Sequence, residues 1–119
     1  MDPAATALVG ASLGANLALI AGANNPAVAG GVALSPGLDY QGVQPRAALP
    51  NFGARPVFFL ASQDDAYAFD SVKQMAGQAA GGETYYFQTA GHGTDMFRDP
   101  AVQPLVLEWL TRVLGVMKG

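Results

Sequence analysis

The sequence predicts an α/β domain: a mostly parallel sheet of four strands with helices packed against it. Three observations predict it. Four short apolar runs bounded by Gly, Pro and Ser read as strands. Stretches of helical character separate these runs, the alternation that joins parallel strands by crossovers. The chain has 119 residues, 50% of them hydrophobic, which suffices for one domain with a real core.

The first strand is Thr6 to Val9, ending at Gly10, and Leu13 to Ala23 is the first helix, stopped by "GANNP". "GVAL", Gly31 to Leu34, is a second buried strand that stops at Ser35-Pro36-Gly37. A long loop rich in Gly and Pro leads to "PVFFLA", Pro56 to Ala61, the clearest strand because it is continuous, aromatic and β-branched. Phe69 to Ala80 has a helical pattern closed by Gly81-Gly82, and "ETYYFQ", Glu83 to Gln88, is the fourth strand. The last helix starts near Pro100 or Pro104 and offers Leu105, Leu107, Trp109, Leu110, Val113 and Leu114 to a core.

Composition narrows the function. A net charge of −3 carries no basic footprint, so nucleic acid is not an expected partner. With no cysteine, disulfides, thiolate metal sites and a cysteine nucleophile are excluded. Residues 4–23 are uncharged and long enough to cross a bilayer, and Gly10 and Gly14 have membrane-dimer spacing. Against that, the stretch is Ala- and Gly-rich and Asn16 falls near its middle. No Lys or Arg precedes it, as a signal peptide would require, since the first is Arg46. No membrane association is expected, and the cytoplasm is the default compartment.

The chemistry centres on "LVGASLGA", Leu8 to Ala15, where Ser12 stands between Gly10 and Gly14. Strand, sharp turn and helix are what a nucleophile elbow requires. Both glycines are expected to allow a close backbone approach, and the amide of Leu13, opening the helix, is placed to meet a developing oxyanion. The competing explanation is close helix–strand packing in a small-residue segment. A serine nucleophile needs a base, and the sole histidine, His92, follows the fourth strand between Gly91 and Gly93. Taken alone it reads as a solvated loop residue. An acid is expected after the third strand, where Asp64 and Asp65 stand in "LASQDDAYAFD". Paired aspartates there also suit turn chemistry or a helix cap. Jointly, Ser, Asp and His follow successive strands, at the strand ends where parallel sheets place ligands.

The stretches "ALVGASLGANLAL", "VALSPGLDYQGV", "PVFFLASQDDAYA" and "TAGHGTDMF" resemble the C-terminal half of an α/β-hydrolase, most like the dienelactone-hydrolase-like serine esterases. The resemblance implies Ser12 as nucleophile, His92 as general base and the Leu13 amide as oxyanion donor. It prefers Asp65 to Asp64 as the acid, by the family's His-Gly-x-x-Asp strand ending; Asp64 is the fallback and otherwise a turn residue. Tyr40, Tyr67, Met96 and Phe97 are expected near the same edge, lining a substrate pocket or packing in loops and core. The implied reaction is hydrolysis of small carboxylic esters through an acyl-enzyme, with no metal or organic cofactor.

By the same resemblance the chain is a truncated hydrolase core that starts at the elbow strand, without the loop that normally gives a second oxyanion donor. Ala5 to Val9 is then expected to be an uncovered edge, and such an edge pairs with another chain. A homodimer or higher homo-oligomer through that strand is the expectation. The competing expectation is a non-catalytic fragment, or half of a split hydrolase that needs an N-terminal partner.

Overall fold

The structure is a computed structural model, and it describes residues 6–115. Its four strands are β1 (Ala7–Ala11), β2 (Gly30–Leu34), β3 (Pro56–Ser62) and β4 (Gly81–Phe87). They form one sheet in the order β1-β2-β3-β4, and every neighbouring pair is parallel. Three α-helices cover it: α1 (Leu13–Ala23), α2 (Ala66–Met75) and α3 (Val102–Leu114). The α/β architecture with a four-stranded parallel sheet is therefore as the sequence predicts.

Alternation along the strands sorts the core into two layers. Ala33, Val57, Phe59 and Ala61 face α1 and α2, where they meet Leu19, Phe52 and Val72. Val32, Leu34, Phe58 and Leu60 face α3, where they meet Val106 and Trp109. All five residues of β2 are buried, and six of the seven in β3, so these two strands form the centre. β4 is a more exposed edge, with Tyr85 among its exposed side chains.

Several boundaries move. β1 runs on to Ala11, beyond the expected stop at Gly10, and β4 begins at Gly81, before the expected Glu83. α2 starts at Ala66, directly after the acidic pair, and gives way to a single 3-10 turn over Ala76–Gln78. α3 starts at Val102, so Pro104 lies in its first turn, where no intrahelical amide bond is lost. Within the long loop, Arg46–Phe52 forms a 3-10 helix.

Arg55 closes that loop onto the sheet. Its guanidinium donates to the carbonyls of Gly22 and Ala23 at the end of α1 and to those of Asn25 and Val28 beyond it. One cation thus adds donors at the end of α1, where intrahelical amides run out. Residues 4–23, the stretch long enough for a membrane span, are divided by the turn at Ser12 between β1 and α1 from residue 6 onward. Among the described residues no helix is long and apolar enough to cross a membrane.

Candidate active site

β1, β3 and β4 each hand over to a helix or 3-10 turn at the same edge of the sheet. Ser12 stands at the entry to α1, Asp65 at the entry to α2, and His92 at the entry to the 3-10 helix Gly93–Arg98. These are N-cap positions, and Ser and Asp are favoured N-caps. Yet none of the three side chains caps its own helix. The side chains turn instead toward one another. Ser12 Oγ lies 2.8 Å from His92 Nε2, and His92 Nδ1 lies 2.5 Å from Asp65 Oδ2. One tautomer satisfies both contacts: the Ser12 hydroxyl donates to Nε2 while Nδ1–H donates to the carboxylate. The Asp65 side chain is 15% exposed and that of His92 44% exposed, so the acid is shielded and the imidazole is open to solvent.

The backbone at Ser12 has φ 57° and ψ −126°, a conformation that costs a non-glycine residue on the order of 1–3 kcal/mol. The Ser12 amide donates to the Leu34 carbonyl at 2.8 Å, which ties the strained residue to β2. With the serine side chain withdrawn from capping, the amides of Leu13 and Gly14 make no hydrogen bond among the described residues. They form the free N-terminus of an 11-residue helix.

The two motif glycines have different roles. A Cβ on Gly10 would lie 2.2 Å from the Gly14 carbonyl oxygen, so only glycine lets α1 seat on β1 there. A Cβ on Gly14 would meet nothing within 4 Å. The expectation that both glycines lack room for a Cβ holds for Gly10 alone.

Of the paired aspartates, Asp65 reaches the imidazole. Asp64 accepts the Gly91 amide at 3.2 Å, and a hydrogen bond with Ser62 holds its carboxyl below the usual carboxylate range. The expected pocket residues separate. Tyr40 stands edge-on to His92, with ring centroids 6.1 Å apart, and its hydroxyl donates to the Ser35 carbonyl. Tyr67 packs edge-on against Tyr40, and its hydroxyl is held by the Asp39 backbone. Phe97 is exposed and lines an apolar groove of about 380 Å³ with Val9, Val106 and Leu107, between β1 and α3. Met96 takes the core alternative rather than the pocket wall. It is fully buried against β2 and α3, because the 3-10 turn after His92 directs it inward, and its sulfur accepts the Ser35 hydroxyl.

Two buried residues escape a reading of the sequence. Asn16 clasps the Gly37 backbone, donating to its carbonyl and accepting its amide, and also donates to the Val43 carbonyl. It thereby anchors the loop that carries Tyr40. Ser35, with φ 54°, accepts the Gly93 amide at 2.8 Å beside the imidazole. The signal for Ser35 is faint: a serine directly after a buried strand and before proline.

Burial, the Asp65 charge and Tyr67 push the Tyr40 phenol up from 10.0 to about 12, against a smaller opposing pull from a hydrogen bond with Ser12. The folded chain thus holds this proton more tightly than the unfolded chain. Its contribution to stability is complete below pH 10 and is lost as pH rises through about 12. Urea melts across that interval are expected to show the wild type losing stability faster with pH than Tyr40→Phe. Parallel pH dependences would contradict the assignment.

Compared with protein-family models, with curated proteins and with solved structures, the chain has no match.

Proposed function

We propose that this chain is a serine hydrolase acting on small carboxylic esters through an acyl-enzyme. One observation carries the proposal: the Ser12 hydroxyl, the His92 imidazole and the Asp65 carboxylate form a continuous hydrogen-bonded line at a strained strand-to-helix turn. A strained, solvent-facing serine with a neutral base at hydrogen-bond distance is the arrangement that makes a hydroxyl nucleophilic at neutral pH. In the proposed reaction Ser12 Oγ attacks the ester carbonyl and His92 Nε2 takes its proton. The Leu13 amide stabilises the oxyanion. Collapse expels the alcohol, which takes the proton from His92. Water, deprotonated by the same nitrogen, then attacks the acyl-enzyme, and the acid leaves with Ser12 regenerated. Asp65 orients the ring and stabilises its protonated form. The likeness of the motif stretches to dienelactone-hydrolase-like esterases supports the same reading. Turnover of p-nitrophenyl esters, lost in Ser12→Ala, tests it.

We further propose that the chain acts as a homodimer joined through β1. Among the described residues β1 pairs with β2 alone and has no strand on its outer side. Val9 on this uncharged strand is 48% exposed, beside exposed Phe97 and Leu107. Two-fold antiparallel pairing of β1 with its copy would cover that edge and join two four-stranded sheets. Ala5, the expected start of the edge, lies outside the described residues. Light scattering on a size-exclusion column is the check, and a monomer at micromolar concentration refutes the dimer. The same edge favours a second reading, half of a split hydrolase. That reading predicts an unreactive Ser12 in the isolated chain and reactivity once an N-terminal partner is supplied.

A further inference from the structure

His92 is the member of the hydroxyl–imidazole–carboxylate line with the least backbone support. It follows the end of β4, and the residues on either side, Gly91 and Gly93, both have positive φ, 85° and 60°. Two glycines in sequence proximity give a loop wide conformational freedom, and an imidazole on such a loop needs something else to fix its height and rotation.

Three side chains supply that restraint. Ser62 Oγ accepts the Ala90 amide at 2.8 Å, Asp64 Oδ1 accepts the Gly91 amide at 3.2 Å, and Ser35 Oγ accepts the Gly93 amide at 2.8 Å. Ser62 ends β3, Asp64 follows it, and Ser35 directly follows β2. The loop on which His92 rides is therefore hung from the ends of the two central strands, the most buried elements of the sheet. Ser35 and Ser62 are themselves fully buried. Ser35 occupies a left-handed backbone conformation unusual for serine, and from there its hydroxyl meets both the Gly93 amide and the Met96 sulfur.

We propose that Ser35, Ser62 and Asp64 are positioning residues that hold the His92 ring in register with Ser12 and Asp65. The inference rests on the hydrolase reading and assigns a task to the aspartate that the imidazole does not use. The Asp64 carboxyl, held below the usual carboxylate range by its hydrogen bond with Ser62 and less by the Gly91 amide, agrees with it, since an ionised carboxylate stays an acceptor for that amide. The role differs from that of Asp65 in a testable way. Asp64 needs only an acceptor oxygen, which asparagine retains. Asp65 must also stabilise a protonated imidazole and fix its tautomer, which asparagine does poorly.

The test uses the full chain and four variants: Ser35→Gly, Asp64→Ala, Asp64→Asn and Asp65→Asn. Glycine at position 35 accepts the observed φ and removes the hydroxymethyl group without backbone strain, and a thermal melt of the variant checks that the fold is kept. Two readouts are taken: the second-order rate of Ser12 labelling by a fluorophosphonate, and the NMR signals of the single imidazole. Ser35→Gly and Asp64→Ala are expected to label roughly 10- to 100-fold more slowly, with shifted imidazole signals. In ester turnover the loss is expected in kcat rather than KM. Asp64→Asn is expected to restore most of the rate, and Asp65→Asn is not. Labelling of Ser35→Gly and Asp64→Ala at the wild-type rate overturns the inference. If the wild type itself does not label, the hydrolase reading fails and the imidazole signals alone decide. Signals that move in Ser35→Gly and Asp64→Ala but not in Asp64→Asn support the positioning role, and unmoved signals overturn it.

Discussion

Wild-type protein treated with a fluorophosphonate is expected to gain one adduct on Ser12, and Ser12→Ala none. This is the largest effect expected of any single change, because the reacting oxygen itself is removed. His92→Ala keeps the hydroxyl but takes away the base 2.8 Å from it. Without that base the serine must lose its proton to water, and labelling is expected to fall at least about 10³-fold. Asp65→Asn leaves both reacting groups in place. It exchanges the acceptor at Nδ1 for an amide that can stabilise the wrong tautomer, and ester hydrolysis is expected to fall by about 10⁴. Intact-mass spectra report stoichiometry, and peptide mapping reports the site. Labelling of Ser12→Ala, or equal rates in the wild type and His92→Ala, would show that the line of hydrogen bonds has no chemical consequence.

What made these three residues legible was their placement in the chain rather than their type. Each follows a run that reads as a strand, and a parallel sheet brings the ends of its strands to one edge whatever the loops do. The aspartate cap explanation was equally open from sequence, since Ser12 and Asp65 occupy true N-cap positions. Only coordinates reveal that neither side chain caps its helix. Ser35 and Asn16 were out of reach for another reason. Their tasks lie in hydrogen bonds to the backbone of residues 58 and 21 positions away, and backbone amides leave no trace in a sequence. The sequence leaves Met96 open between pocket wall and core, because one residue of offset in a short 3-10 turn separates an exposed position such as Phe97 from a buried one. The elbow glycines were assigned one shared role because a motif names positions and not directions.

Gly10 and Gly14 are expected to respond oppositely to alanine. At Gly10 the added methyl would fall 2.2 Å from the Gly14 carbonyl oxygen, 2.5 Å from its carbon and 2.8 Å from the Ala15 nitrogen. All three are backbone atoms of the first turn of α1, so no side chain can rotate away. α1 must lift from β1 as a unit, which separates the contact that buries Ala15 and Leu19 and pulls Ser12 from its bond to Leu34. Overpacking against rigid backbone lies at the upper end of such costs, about 3 kcal/mol or more, and in a domain of this size that lowers Tm by roughly 12 °C or more. Gly14→Ala places its methyl in open space at a helical position with no positive φ, where alanine is the better helix former by up to about 1 kcal/mol. It is expected to hold Tm or raise it slightly. Thermal melts of the two variants decide the matter. A Gly10→Ala protein as stable as the wild type would mean that the strand and helix are not in contact at the elbow. Ser12 would then lose the backbone that aims its hydroxyl at His92.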